Sequence, residues 1–307
     1  MRAPPGPLVL AVDLGGSHLR VAVANGAGAI LGRASDRLGL DPEPQAIVER
    51  IAHLAASLVT GASVAAIGVS CPGVIDPDTG VVLGARNLGW RGVPLGEMLS
   101  QRLGCPARIE NDVNMAVVGE AWRGAGRGYD DVAFIGVGTG VGVGLLLGGR
   151  LHRGAHFGAG EVNPLPSEIA ASDAAGLGVE EVASGPWILR RALDTGVEAT
   201  TTAQVFALAG AGEGRAADVV RDAVHALALT AAWVAAVADP AVIVLGGGVA
   251  EQGEALLAPM REEAARLGGR RVPIVAAALG TEAQLYGALH AALGLAGFLD
   301  APRPTDG

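Results

Sequence analysis

The sequence predicts an α/β protein of two lobes, on three observations. Apolar runs of strand length alternate with stretches of helical periodicity along the chain. A strand, glycine turn, strand plan occurs over 8–24 and returns over 132–147. At 307 residues the chain is also long for one hydrophobic core, since single cores stop growing near ~250–300 residues.

The elements follow in order after a proline-rich tail over 1–7. Leu8 to Val12 is an apolar run closed by Asp13, as a buried strand is, and Leu19 to Ala24 is its hairpin partner. Ile47, Ile51, Leu54 and Leu58 recur at helical spacing and predict a helix over 44–58. A strand over 65–70 is stopped by Pro72-Gly73. A short helix over 95–103 precedes a strand over 107–109, which delivers Glu110-Asn111-Asp112 to a helix starting near Val113. The second cycle has strands over 132–137 and 141–147, helices over 179–193, 203–209 and 216–238, and a strand over 241–245 broken at Gly246-Gly247-Gly248. A helix over 251–267, a strand over 274–277 and a last helix from 282 to about 293 close the chain. Only 164–177 reads as a long irregular loop.

Composition narrows the partners. The formal net charge is −9 with no run of Lys or Arg, whereas nucleic acid demands a concentrated basic footprint; a small molecule is expected instead. Half the residues are hydrophobic but only 3% are aromatic, so Ala, Val, Leu and Ile must build the core. Cys71 and Cys105 are the only cysteines, too few for a disulfide framework, and read as buried thiols. The apolar run at Leu8 is too short for a secretory signal, so the cytoplasm is the expected compartment. The most membrane-like stretch, 223–238, is shorter than the ~20 residues a bilayer needs and holds His225 and Thr230; a buried or subunit-interface helix is expected.

Three glycine-containing turns follow predicted strands: Gly15-Gly16-Ser17, Gly136-Val137-Gly138-Thr139-Gly140 and Gly246-Gly247-Gly248. Such turns let backbone N–H groups converge on an anion without hindrance from a β-carbon. One alone is ordinary hairpin chemistry; three together favour a nucleotide. None fits the P-loop pattern, and Gly136-x-Gly138-x-Gly140 leads into a strand, which disfavours a Rossmann dinucleotide site.

Further segments carry a resemblance: Asp13 to Ser17 with Arg20, Cys71-Pro72-Gly73-Val74-Ile75-Asp76, Asn87-Leu88-Gly89-Trp90, and Glu110-Asn111-Asp112-Val113-Asn114. With Gly136 to Gly144, Gly154 to Glu161, Ala183-Ser184-Gly185-Pro186 and Val244 to Val249, the chain resembles the ROK family of repressors, open reading frames and kinases. That family lies within the actin, Hsp70 and sugar-kinase superfamily, and the resemblance runs from Asp13 to the last helix. It implies a two-lobed, actin-like ATPase fold of ribonuclease-H-like lobes with the active-site cleft between them. Residues 1–112, with a C-terminal helix at about 285–298, would form the N-terminal lobe and 113–284 the larger C-terminal lobe. Homodimers are usual for such families.

By the same resemblance, Gly15 to Ser17 and Gly138 to Gly140 hold the phosphates of ATP, Gly246 to Gly248 lie against the adenosine, and Mg²⁺ bridges phosphate oxygens near Asp13, through water. Asp112 is the general base that takes the proton of the attacking sugar hydroxyl, with Asn111 beside it. Glu161 and Glu180 match sugar-binding glutamates, with Gly73 and Asn87 on the opposite wall. Plainer readings stand beside these: Asp13 capping a hairpin, Asn111 and Asp112 capping a helix, the glutamates as exposed helix-end charges, and Glu181 as an equal register for Glu180.

The pattern breaks after Glu161, where the family's histidine is replaced in Val162-Asn163-Pro164 and its cysteine cluster is missing from 167–179. Tetrahedral zinc needs four such ligands, so no zinc is expected, and Asn163 is the candidate replacement contact to the sugar. The expected activity is phosphorylation of a hexose or amino-hexose at a primary hydroxyl, with glucose the default. A sugar-responsive regulator and a catalytically silent sugar-binding protein are the alternatives; the former carries an N-terminal helix-turn-helix, whereas here only a short tail precedes Asp13.

Overall fold

The computed structural model describes residues 6–39, 42–59, 62–167, 177–268 and 272–299. The chain divides into two compact units, one of Met1–Arg123, Gly154–Gly158 and Glu282–Gly307, the other of Gly124–Arg153 and Ala159–Thr281.

In the first unit, strands β1 (Leu8–Leu14), β2 (His18–Ala24) and β3 (Ile30–Arg37) lead to helix α1 (Pro44–Leu58) and strand β4 (Val64–Cys71). A small hairpin of β5 (Val74–Asp76) and β6 (Val81–Gly84) follows, then helix α2 (Leu95–Leu103), strand β7 (Ala107–Asn111) and helix α3 (Asp112–Arg123). The main sheet has the order β3-β2-β1-β4-β7, antiparallel through β3, β2 and β1 and parallel from β1 through β4 to β7. Every residue of β1 is buried, because both faces of the strand are covered. Leu10, Val12 and Leu14 pack with Ile47 and Ile51 of α1 and Leu95 and Leu99 of α2. Val9 and Ala11 pack with Met115 of α3 and with Leu285 and Leu289 of the C-terminal helix. Two-sided cover is why β1 reads as a continuous apolar run instead of an alternating one.

The second unit repeats this plan. Strands β8 (Val132–Val137), β9 (Val141–Leu147) and β10 (Arg150–Leu151) are antiparallel neighbours. Helices α4 (Val179–Ala183), α5 (Gly185–Asp194), α6 (Thr202–Gly210) and α7 (Gly214–Ala238) precede strand β11 (Val242–Gly246), then helix α8 (Glu254–Arg266) and strand β12 (Ile274–Ala276). The order β10-β9-β8-β11-β12 matches that of the first unit strand for strand, with β8, β11 and β12 parallel. The closing helix α9 (Ala283–Leu295) belongs to the first unit. Among the described residues α7 alone is long and apolar enough to cross a membrane, and 67% of its apolar window is buried; Val219, Ala223, Leu227 and Ala231 sit in the core of the second unit.

The structure departs from the sequence reading in several places. Helix α3, assigned above to the second lobe by a boundary at 112, packs in the first unit. Gly119 and Gly287 let α3 and α9 meet backbone to backbone, since a β-carbon on either would overlap a carbonyl oxygen of the other helix. The helix expected over 179–193 is two helices, because Ser184 is extended and Pro186 starts the second. The helix expected over 251–267 is likewise divided at Gly253, with φ +60°. Strand β3 was not foreseen: as an edge strand its residues alternate between exposed and half-buried, so it carries little apolar signal. The stretch 168–176, most of the expected loop, lies outside the described residues.

Candidate active site

In the first unit the parallel register sets Asp13 opposite Ser70, Ser70 opposite Glu110, and Cys71 opposite Asn111. Asp13, Cys71, Asn111 and Asp112 therefore stand together at the carboxyl ends of β1, β4 and β7, the end where open α/β sheets bind ligands. Electrostatics give the same grouping: burial pushes the Cys71 thiol well above its ordinary range, and the charges of Asp112 and Asp13 push it further.

Asp13 is 6% exposed, and Arg20, its cross-strand neighbour on β2, donates to its Oδ2 from Nε at 2.9 Å and from Nη2. Burial raises its pKa, and Arg20 is the largest influence pulling back. One carboxylate oxygen is thus committed within the hairpin.

The β7–α3 junction separates the roles of Asn111 and Asp112. Asn111 Oδ1 accepts from Val113 N (2.9 Å) and Asn114 N (3.1 Å), which makes Asn111 the helix cap. Its Nδ2 donates to the Gly73 carbonyl at 2.9 Å, tying the β4–β5 turn to the junction. Asp112 occupies the first helical position, half-buried, with Oδ1 accepting from Val113 N at 2.9 Å. The plainer capping reading therefore holds for Asn111, and Asp112 is not needed for it. Gly16 and Ser17 are exposed at the tip of the β1–β2 hairpin, closed by Gly15 N donating to His18 O at 2.8 Å. Asn87 is exposed beside that tip, its Cβ 3.7 Å from where a β-carbon on Gly16 would stand.

In the second unit Gly138 N donates to Gly140 O at 2.9 Å, and the α5 amino terminus docks on the same turn through Gly185 N to Gly138 O at 2.8 Å. Gly246 is paired with Gly136, so Gly246 to Gly248 leave β11 beside this turn, and Val249 N donates to Val137 O at 3.0 Å. Gly247 has φ +91° and leaves no room for a side chain. At Gly138 and Gly248, in contrast, a β-carbon would meet nothing within 4 Å and φ is unstrained. Neither packing nor backbone strain calls for glycine there, as is also the case at Gly158 and Gly210.

Glu180 faces the Gly138–Gly140 turn: its Oε2 accepts from Val141 N at 3.2 Å and would lie 2.6 Å from a β-carbon on Gly140. Glu181 instead accepts from Gly178 N at 3.0 Å, capping α4, which separates the two registers. Glu161 follows Gly160, whose carbonyl accepts from Val143 N at 2.9 Å. Partial burial, and then the charge of Glu180, hold the Glu161 carboxyl above its ordinary range although the residue keeps solvent contact; the two carboxylates are electrostatic neighbours. Asn163 is half-buried, and its carbonyl accepts from Glu180 N at 3.4 Å. Among the described residues no cluster of three or more His, Cys, Asp or Glu is arranged to hold a metal ion directly.

Sequence reasoning named Gly160, Glu110 and Asn114 only within longer segments and gave them no role of their own. Glu110 is 3% exposed and Asn114 6%, and the strand-to-helix parity that turns them inward is invisible without the partners.

Comparison with known proteins adds to this geometry. The family described as ROK family matches residues 9–294. The glucokinase of Streptomyces coelicolor is 31% identical over 307 residues, covering 92% of this chain and 96% of the relative. The bifunctional enzyme NanE/NanK of Brucella melitensis is 35% identical over 290 residues, covering 93% of this chain and 54% of that protein. The crystal structure of a ROK family glucokinase from Streptomyces griseus in complex with glucose and AMPPNP superposes with a TM-score of 0.78 at 32% identity, covering 93% of this chain and 99% of that one.

Proposed function

This chain belongs to the ROK family, and from that premise we propose that it is a kinase that transfers the γ-phosphoryl group of ATP to the 6-hydroxyl of a hexose or amino-hexose. The observation that carries the reading is Asp112: a half-buried carboxylate at the carboxyl ends of the parallel strands, where Asn111 rather than Asp112 caps the helix. As the sugar oxygen bonds to phosphorus and the bond to the β-phosphate oxygen breaks, the hydroxyl proton passes to Asp112 and ADP leaves.

Gly15 to Ser17 and Gly138 to Gly140 are assigned to the phosphates and Gly246 to Gly248 to the adenosine. The open space at Gly138 and Gly248 is compatible with this, because backbone N–H groups approach an anion closely only where no side chain intervenes. Mg²⁺, carried by the phosphates, would neutralise charge there, and Asp13 would meet it through water with the carboxylate that Arg20 holds in place. Asn111, Gly73, Asn87, Glu161, Glu180 and Asn163 are assigned to the sugar, whose hydroxyls donate to carboxylates and accept from amides. Relatives named glucokinase favour glucose; the altered Val162-Asn163-Pro164 stretch is the reason to test amino-hexoses. A cytoplasmic homodimer without a nucleic-acid partner completes the reading.

ADP release over a panel of hexoses and amino-hexoses tests it. Asp112→Asn is expected to lower kcat by about 10²–10⁴-fold while the sugar KM moves little. A purified protein that releases no sugar-stimulated ADP would sink the kinase reading, and retained sugar binding in that case would mark a silent binding protein.

A further inference from the structure

We infer that Glu110 and Asn114 are positioning residues for Asp112, an inference that rests on the kinase reading above. Glu110 ends β7 next to the junction, with its side chain buried. Its Oε1 accepts from Asn111 N at 3.0 Å and from Asn114 Nδ2 at 2.9 Å. Asn111 Oδ1 in turn accepts from Asn114 N at 3.1 Å. These bonds close a ring: the Glu110 carboxylate holds the Asn111 backbone, the Asn111 side chain holds the Asn114 backbone, and the Asn114 side chain returns to Glu110.

Asp112 is enclosed by that ring. Both of its flanks, residue 111 before it and the first turn of α3 after it, are tied to one buried carboxylate. Capping a helix needs only the Asn111 oxygen, so the buried Glu110 carboxylate and the Asn114 amide are not required for the cap itself. The consequence of the ring is to fix the backbone of Asp112 relative to β7, and with it the direction in which the carboxylate meets a substrate hydroxyl. A displacement of about 1 Å in a reacting group costs on the order of 10²-fold in rate.

The test uses Glu110→Ala, Glu110→Gln and Asn114→Ala in the full chain, with turnover expressed per sugar-binding site counted by calorimetry. Glu110→Ala and Asn114→Ala are expected to lower kcat by about 10–100-fold with sugar and ATP KM within about threefold of the parent. Glu110→Gln, which keeps the acceptor oxygen, should recover most of the loss. A purely structural role would reduce the number of binding sites and leave kcat per site unchanged, and that result overturns the inference. So does a Glu110→Gln variant as slow as Glu110→Ala, which would assign the effect to charge. If Glu110→Ala fails to fold, Asn114→Ala decides, since it leaves the Glu110 bond to Asn111 intact. A parent without sugar-dependent turnover removes the kinase reading and this inference together, whereas an active parent with unaffected variants removes the inference alone.

Discussion

Replacing Gly160 by alanine strikes the support of Glu161 without touching the carboxylate. Gly160 has φ +89°, and a β-carbon there would overlap the Val143 carbonyl oxygen and lie 2.8 Å from its carbon and 3.4 Å from the Val143 Cα. All these atoms are backbone of β9, so no rotamer change relieves the overlap. A positive φ costs an L-residue about 1–2 kcal/mol, overpacking adds about 1–3 kcal/mol, and losing the Val143 N to Gly160 O bond costs about 0.5–1.5 kcal/mol. If the strand and the turn keep their places, that bond survives, and strain and overpacking together cost about 2–5 kcal/mol. If the turn peels away, stability falls less, but Glu161 moves with it and the sugar KM rises. Urea unfolding followed by tryptophan fluorescence, paired with the sugar KM, reads both routes. Gly158→Ala is the control, because a β-carbon there meets nothing within 4 Å, and it should stay within about 0.5 kcal/mol of the parent. A Gly160→Ala variant with parental stability and parental KM would refute the reasoning.

Two further outcomes follow from the second unit. Partial burial, and then the charge of Glu180, hold the Glu161 carboxyl above its ordinary range, so on acidification it takes up its proton early and sugar affinity should fall at a pH above the usual carboxylate range. Glu180→Gln removes the like charge and should move that acid limb of 1/KM to lower pH; an unmoved limb would show that the two carboxylates do not interact. Arg191 and Asp222 form a pair at 2.7 Å with side chains 8% and 9% exposed. Asp222→Ala strands a buried guanidinium and should cost about 3–5 kcal/mol in urea unfolding, with part regained by adding Arg191→Met; a loss under about 1 kcal/mol would place the pair outside the stabilising core.

The elements were legible where the signal is local. Helix α1 and the β8–β9 hairpin were read to their end residues, because Ile47, Ile51 and Leu58 mark one helix face and the Gly138 to Gly140 turn marks both strand ends. The repeat of strand, glycine turn and strand pointed to two related lobes, and the two sheets share one strand order. Strand β3, the β5–β6 hairpin and the break at Ser184 were not legible: edge strands need little apolar surface, and Pro186 was read as part of a helix it in fact starts.

Within the candidate site the same division holds. The sequence by itself determined the glycine turns at the ends of strands, because turn spacing is a property of neighbouring residues, and the family resemblance singled out the carboxylates Asp13, Asp112, Glu161 and Glu180. Only the tertiary structure decided that Asn111 caps α3 beside Asp112, that Glu180 rather than Glu181 faces the Gly140 turn, that α3 packs in the first unit, and that Glu110 and Asn114 close a ring around Asp112. Those outcomes depend on which way a side chain points and on a partner from another strand or helix, and neither is written in the spacing along the chain.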